Sequence, residues 1–185
     1  MGLAALLLAA VLIPAPDDWR KETFQFPLAF AATIPYEGSE HVRFSPGWAS
    51  FGEDTGFSYV FLWDLKAKAV TTEDLEDHLE TYFNGLMGGV GYGRKLEAKP
   101  IPASVALHPM TAVPAWTRAW GAQVRTWNAF SKGEPLLLHG EVAQRECGAE
   151  RMQVFFAFSL AKRERPIWEK LRDIRQATKC GDPVS

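Results

Sequence analysis

The sequence predicts an α+β protein in which an antiparallel sheet of about five to seven strands is covered by two helices. Two observations support this fold class. Several short segments alternate apolar and polar residues and are joined by short turns, which is typical of neighbouring antiparallel strands. Two other segments repeat their apolar residues every three or four positions, as amphipathic helices do. We expect residues 16–185 to form a single domain, because no long linker divides them.

The clearest strand is the segment FSYVFLWDLK at residues 57–66. Its odd-numbered side chains share one face by the two-residue period of a strand, namely Phe57, Tyr59, Phe61, Trp63 and Leu65. We expect this aromatic row to face the core or a helix. Residues 24–30 alternate in the manner of a strand, and their proline confines that strand to a sheet edge or a bulge. Further strands are predicted within residues 41–48, 104–110, 117–130, 136–142 and 152–160.

The clearest helix is predicted over residues 72–86. Thr71 or Thr72 can cap it, and Leu75, Leu79 and Phe83 form one apolar stripe. The glycine-rich segment 88–93 follows this helix. A phosphate-binding loop would instead precede a helix and use its N-terminal amides. We therefore predict that the glycines end the helix and form a flexible loop.

A second helix is predicted from Pro166, since proline suits the first turn of a helix. Its apolar side contains Ile167, Trp168, Leu171 and Ile174. The resulting order of elements is β-β-β-α-β-β-β-β-α. This order loosely resembles the fold of the photosystem II extrinsic protein PsbP and its relatives, a likeness of topology alone.

Composition excludes several classes of function. The chain carries 20 Lys and Arg against 22 Asp and Glu, which leaves a net charge of −2. Nucleic-acid binding relies on clustered positive charge, so we expect no nucleic-acid partner. Two cysteines are too few for a four-cysteine zinc site or a dense disulfide scaffold. No cofactor and no metal site is predicted.

The N-terminal segment predicts export. The run LAALLLAAVLI at residues 3–13 is apolar and uncharged. It is shorter than the roughly 20 residues that a membrane-spanning helix needs, and it suits the central region of a secretory signal peptide. Residues 1–15 are therefore predicted as a signal peptide that ends at Ala10 or at Ala15; the alternative is a buried N-terminal helix or an anchor that is not removed. We expect a secreted or periplasmic protein with no stable membrane span after cleavage.

The two cysteines agree with export, because disulfides persist in oxidising compartments. Cys147 lies in a predicted turn and Cys180 follows the last predicted helix, and both are poor places for buried free thiols. We predict a Cys147–Cys180 disulfide. It would close a loop of about 34 residues and contribute about 3–4 kcal/mol to stability.

Two segments, RFSPGW at residues 43–48 and SYVFLW at residues 58–63, resemble segments of a family of uncharacterised secreted bacterial proteins. The resemblance extends over most of the chain after the signal peptide. It implies export and brings no catalytic residue.

Catalytic motifs are absent from the sequence, which contains no HExxH, Walker loop or GxGxxG pattern. The remaining candidates for chemistry are His108 and His139, which lie in predicted strands, together with Glu141 or Asp64. If the sheet brought them together, they would form an acid–base or metal site. Scattered histidines are more often structural, so we favour a protein that is not an enzyme.

The tryptophans suggest binding instead. Most of them are expected to fill the core, but Trp116 follows a proline-containing loop and Trp127 lies on the less apolar face of its strand. With Tyr59 they are the candidate ligand-binding residues. The favoured function is a non-catalytic exported module that binds a small apolar ligand or a protein partner. The alternatives are a hydrolase or metal-dependent enzyme that uses the histidines, and a structural envelope component.

Overall fold

The computed structural model describes residues 12–51, 55–111 and 113–181. Within these ranges the chain forms a seven-stranded antiparallel sheet and two helices, which confirms the predicted α+β class. The elements in chain order are β1 (Arg20–Gln25), β2 (Gly38–Phe44), β3 (Tyr59–Leu65), α1 (Thr72–Gly93), β4 (Ser104–Met110), β5 (Arg118–Trp127), β6 (Pro135–Glu146), β7 (Met152–Ser159) and α2 (Ile167–Ala177).

The strand order in the sheet is β1-β2-β3-β7-β6-β5-β4. The first three strands and the last four strands are two meanders, and α1 carries the chain from one to the other. The meanders meet where β3 pairs with β7, with Phe61 opposite Phe156. Both of these central strands are buried along their whole length, because α1 covers one face of the sheet and α2 covers the other.

The two faces have separate cores. On the α1 face, the predicted aromatic row of β3 packs into one cluster with Leu75, Leu79 and Phe83 of α1. On the α2 face, Val60 and Leu62 pack into a second cluster that includes Trp168, Leu171 and Ile174. The expectation that the aromatic row faces a helix is confirmed.

Helix α1 extends further than the sequence suggests. It ends at Gly93, so the prediction of a loop over residues 88–93 is wrong. A Cβ at Gly85 would overlap the carbonyl of Phe30, and one at Gly91 would overlap the ring of Trp127. The helix therefore lies so close to its neighbours that glycine is required at both places, and tertiary packing overrides the low helix propensity of glycine.

The start of α1 agrees with its predicted cap. The Thr71 hydroxyl accepts a hydrogen bond from the Asp74 amide at 3.0 Å, and the Asp74 carboxylate accepts one from the Thr71 amide at 2.9 Å. This reciprocal pair is a capping box.

The two edges of the sheet differ. At the β4 edge, three outward amides donate to side chains of α1, in the pairs Ala103–Asn84 at 2.7 Å, Val105–Glu80 at 3.0 Å and Leu107–Glu76 at 2.7 Å. At the other edge, nearly every residue of β1 is exposed. This edge strand was predicted at residues 24–30, but it lies at Arg20–Gln25, because the strand ends before Pro27, which has no amide to donate.

The Cys147–Cys180 disulfide is confirmed, with a Cα–Cα distance of 5.4 Å. It joins the turn after β6 to the segment after α2. None of the helices found in the described ranges is long and apolar enough to cross a membrane.

Residues 1–11 of the predicted signal peptide lie outside the described residues, whereas residues 12–15 lie within them. Ile13 is completely buried in the α2-face core. Its carbonyl accepts a hydrogen bond from Arg43 Nε at 3.2 Å, and the Leu12 carbonyl accepts one from the Lys179 amide at 2.9 Å. The chain is therefore integrated into the domain from Leu12 onwards.

Candidate ligand-binding cleft

The predicted catalytic candidates share one face of the sheet. By strand register, His108 and Glu141 both lie in the row that passes through Gly121, and His139 lies two residues from Glu141 along β6. Neighbouring strands are about 4.8 Å apart, so His108 on β4 and Glu141 on β6, with β5 between them, are about 10 Å apart. Among the residues with described positions, no group of three or more His, Cys, Asp or Glu is arranged to hold a metal ion.

The Glu141 carboxylate already has partners on α2. Arg172 Nη2 donates to Oε1 at 2.7 Å, and Arg175 Nη1 donates to Oε2 at 2.7 Å. Burial alone would raise the pKa of Glu141, but the hydrogen bonds from these two arginines outweigh burial and hold the pKa below its ordinary value. This carboxylate anchors α2 to the sheet, and its two oxygens face arginines.

The three predicted ligand-binding residues are not together. Trp116 lies in the α2-face core, where the Arg145 guanidinium lies 4.2 Å from its ring. Trp127 lies in the α1-face core beneath Gly91, so the prediction that it lies on the less apolar face of its strand is wrong. Each of these two indoles is 4% exposed. Of the three residues, Tyr59 lines a cleft.

This cleft, called the aromatic cleft below, lies between β1–β3 and the C-terminal half of α1. Its volume is about 160 Å³. The strands contribute Phe24, Val42, Phe44 and Tyr59, α1 contributes Tyr82, Leu86 and Val90, and loops contribute Phe30, Trp48, Phe57 and Phe130. Aromatic rings thus dominate its walls, as in sites for small apolar ligands.

A carboxylate lines the aromatic cleft from its sheet side. Glu40 on β2 is 0% exposed. Trp63 Nε1 donates to its Oε2 at 2.7 Å, and the Tyr82 hydroxyl donates to its Oε1 at 3.3 Å. Burial raises the pKa of Glu40 to about 7, and the hydrogen bonds from Trp63 and Tyr82 offset only part of that rise. At neutral pH this group is therefore close to the midpoint of its titration.

Two residues of the cleft wall each carry a buried polar group without a hydrogen-bond partner among the described residues. These groups are the Tyr59 hydroxyl and the Trp48 indole N–H. Leaving such a group unsatisfied costs about 1–3 kcal/mol. Burial also raises the pKa of Tyr59 well above its ordinary value, so the hydroxyl stays neutral and can donate or accept a hydrogen bond.

The rim of the cleft carries one ion pair. The Arg20 guanidinium lies 4.3 Å from the centre of the Phe44 ring and 5.7 Å from that of Trp48. Arg20 Nε is 3.2 Å from the Glu22 carboxylate. The faces of Phe44 and Trp48 therefore already hold a cation, and the charges of Arg20 and Glu22 cancel at the cleft entrance.

Sequence reasoning found Tyr59 but not Glu40. The signal was present, because Glu40, Val42 and Phe44 alternate along β2 and place an acidic residue on an apolar face. The predicted strand began at His41, so Glu40 was not compared with the residues two and four positions later. An acidic side chain in register with an apolar stripe is the pattern that would have found this group.

Comparison with known proteins gives no further guidance, because no protein-family model and no curated protein sequence matches the chain.

Proposed function

We propose that this protein is a non-catalytic binding module that takes a small, mostly apolar ligand in the aromatic cleft. The main support is Tyr59, a residue of the cleft wall whose buried hydroxyl lacks a hydrogen-bond partner in the described structure. A bound ligand with one polar atom would satisfy this hydroxyl while its apolar part fills the cavity. Cavity size agrees, since an engineered apolar cavity of about 150 Å³ binds benzene.

The enzyme alternative has less support. It needs Glu141 to act with His108 and His139, but Arg172 and Arg175 hold both oxygens of Glu141. A carboxylate in two such ion pairs is a poor base, because its pKa lies below the ordinary value.

The binding proposal can be tested with toluene and benzyl alcohol as small probes. The indole N–H resonance of Trp48, assigned with Trp48→Phe, should shift as either probe is added, with a dissociation constant of about 1 mM or tighter. Val90→Phe should block the cleft and abolish the shift. Tyr92→Ala is the matched control on the same helix, because Tyr92 is 89% exposed. Equal binding to wild type and Val90→Phe would refute the proposal.

We also propose that the protein is exported and that cleavage follows Ala10 instead of Ala15. Two features support this: the disulfide, and the contacts of Leu12 and Ile13 with the folded domain, which cleavage at Ala15 would remove. Mass spectrometry of the protein recovered from its native compartment should give a mature chain that begins at Val11. A mature chain that begins at Pro16 would contradict this cleavage site.

A further inference from the structure

We infer that the ligand of the aromatic cleft carries an ammonium group, which pairs with Glu40 while its carbon substituents contact the aromatic walls. This inference rests on the proposed function and specifies its ligand class. The structural basis is the juxtaposition of a completely buried carboxylate, an unsatisfied Tyr59 hydroxyl and a cleft lined largely by aromatic side chains.

The first step concerns the charge of Glu40. Buried carboxylates in proteins are normally paired with a cation or a metal, because an isolated charge is costly to remove from water. The hydrogen-bond partners of Glu40, Trp63 Nε1 and the Tyr82 hydroxyl, are both neutral donors. Each oxygen accepts one of these hydrogen bonds, so each keeps a lone pair for a further donor. An ammonium would supply both that donor and the missing positive charge.

The second step concerns the walls. The face of an aromatic ring carries partial negative charge and attracts cations, and cages of such rings recognise alkylated ammonium groups. Arg20 already uses the faces of Phe44 and Trp48 in this way at the rim. Rings of Tyr59, Tyr82 and Phe57 continue this aromatic lining inside the cleft.

The third step concerns the Tyr59 hydroxyl. Its oxygen can accept a hydrogen bond from an ammonium N–H, which would satisfy a group that the unliganded protein leaves without a partner. The Trp48 indole N–H can only donate, so it does not bind the ammonium. It is available to an acceptor elsewhere on the ligand.

Within the described part of the chain, the charged and titratable groups that line the cleft with Glu40 lie on three elements. Glu22 and Arg20 approach from β1, where they pair with each other, Tyr59 approaches from β3 and Tyr82 from α1. Since both tyrosines stay neutral, the charge available to an ammonium is governed by Glu40. Binding of an ammonium should therefore strengthen as Glu40 ionises, between about pH 5.5 and pH 8.

Three probes of similar size test the inference: benzylammonium, benzyl alcohol and benzoate. At pH 8, benzylammonium should bind wild type at least about tenfold more tightly than benzyl alcohol. The preference should be lost at pH 5.5 and in Glu40→Gln, which should still bind benzyl alcohol. Glu97→Gln is the matched control and should keep the preference, because it removes the same charge from an exposed position outside the cleft lining.

The outcomes separate the two proposals. Equal or tighter binding of benzyl alcohol at pH 8 would overturn the ammonium inference and leave the binding cleft intact. Tightest binding of benzoate would overturn it too and would indicate recognition by Arg20. If no probe binds the cleft, the proposed function itself fails. The pH series on wild type keeps the test decisive even if Glu40→Gln does not fold.

Discussion

Buried carboxylates have different partners on the two faces of the sheet. On the α2 face, Glu141 forms ion pairs with Arg172 and Arg175, and Asp64 forms one with Arg151 Nη2 at 2.6 Å. On the α1 face, the described partners of Glu40 are neutral donors. Burial therefore raises the pKa of Glu40 to about 7, whereas the pKa of Glu141 lies below its ordinary value.

This difference separates two roles for a buried charge. The arginine pairs of the α2 face join distant parts of the chain, since Arg172 and Arg175 belong to α2 and Glu141 to β6. Among the described residues Glu40 forms no ion pair, and its charge destabilises the free protein. A costly group beside a cavity is better explained by a ligand than by the stability of the fold.

The largest effect should come from breaking the ion pairs on the α2 face. Glu141→Gln leaves the Arg175 guanidinium, which is almost fully buried, without a counter-charge. We expect the free energy of unfolding to fall by about 3–5 kcal/mol in urea denaturation at pH 8. Glu40→Gln is the matched substitution on the other face and should leave stability unchanged or raise it. Equal losses in the two variants would show that the two carboxylates play the same role.

The disulfide should also act on the α2 face alone. Replacing Cys147 and Cys180 by serine removes the cross-link between the turn after β6 and the end of α2. We expect a loss of about 3–4 kcal/mol, from loop-closure entropy in the unfolded chain. Binding of benzyl alcohol in the aromatic cleft, measured where wild type and the variant are both fully folded, should not change. A weakened affinity would show that the two faces are coupled.

The charge of Glu40 should make stability depend on pH. Its pKa rises from an ordinary 4.5 in the unfolded chain to about 7 in the folded protein, so the folded state binds the proton more tightly. Stability should therefore fall as pH increases from 4.5 to 7, by about 3 kcal/mol, and level off above pH 7. Since other groups titrate in this range, the quantity to measure is the difference in unfolding free energy between wild type and Glu40→Gln. A difference that does not vary with pH would contradict the titration of Glu40.

Much of the fold follows from local patterns in the sequence. The period of two along β3 and the stripe of Leu75, Leu79 and Phe83 on α1 specify which side chains face each other, and the structure agrees. The last turns of α1 do not follow from local pattern. They depend on the close approach of Gly85 and Gly91 to other parts of the chain, which no local propensity records.

Less of the candidate site than of the fold could be predicted from the sequence. Tyr59 could be placed on the α1 face from its period, but whether it lines a cleft or fills the core depends on how Phe30, Trp48 and Phe130 arrive from separate loops. Trp127 is the last residue of β5, where alternation no longer fixes the direction of a side chain. Glu40 was detectable as an acidic residue in an apolar stripe, but its lack of an arginine partner is a tertiary property.

A third arrangement of carboxylates, at the β4 edge, should give the smallest effect. Glu80 accepts a hydrogen bond from the Val105 amide at 3.0 Å. In the interior of a sheet, a carbonyl of a neighbouring strand would accept this hydrogen bond instead. Because this carboxylate is only partly buried and pairs with a backbone N–H, Glu80→Ala should cost about 1–2 kcal/mol, less than Glu141→Gln. Hydrogen exchange of the Val105 amide should become faster. Asp77→Ala, on the exposed side of α1, is the control and should change neither quantity. If Glu80→Ala matched Glu141→Gln in cost, ion pairing would not be what distinguishes the α2 face.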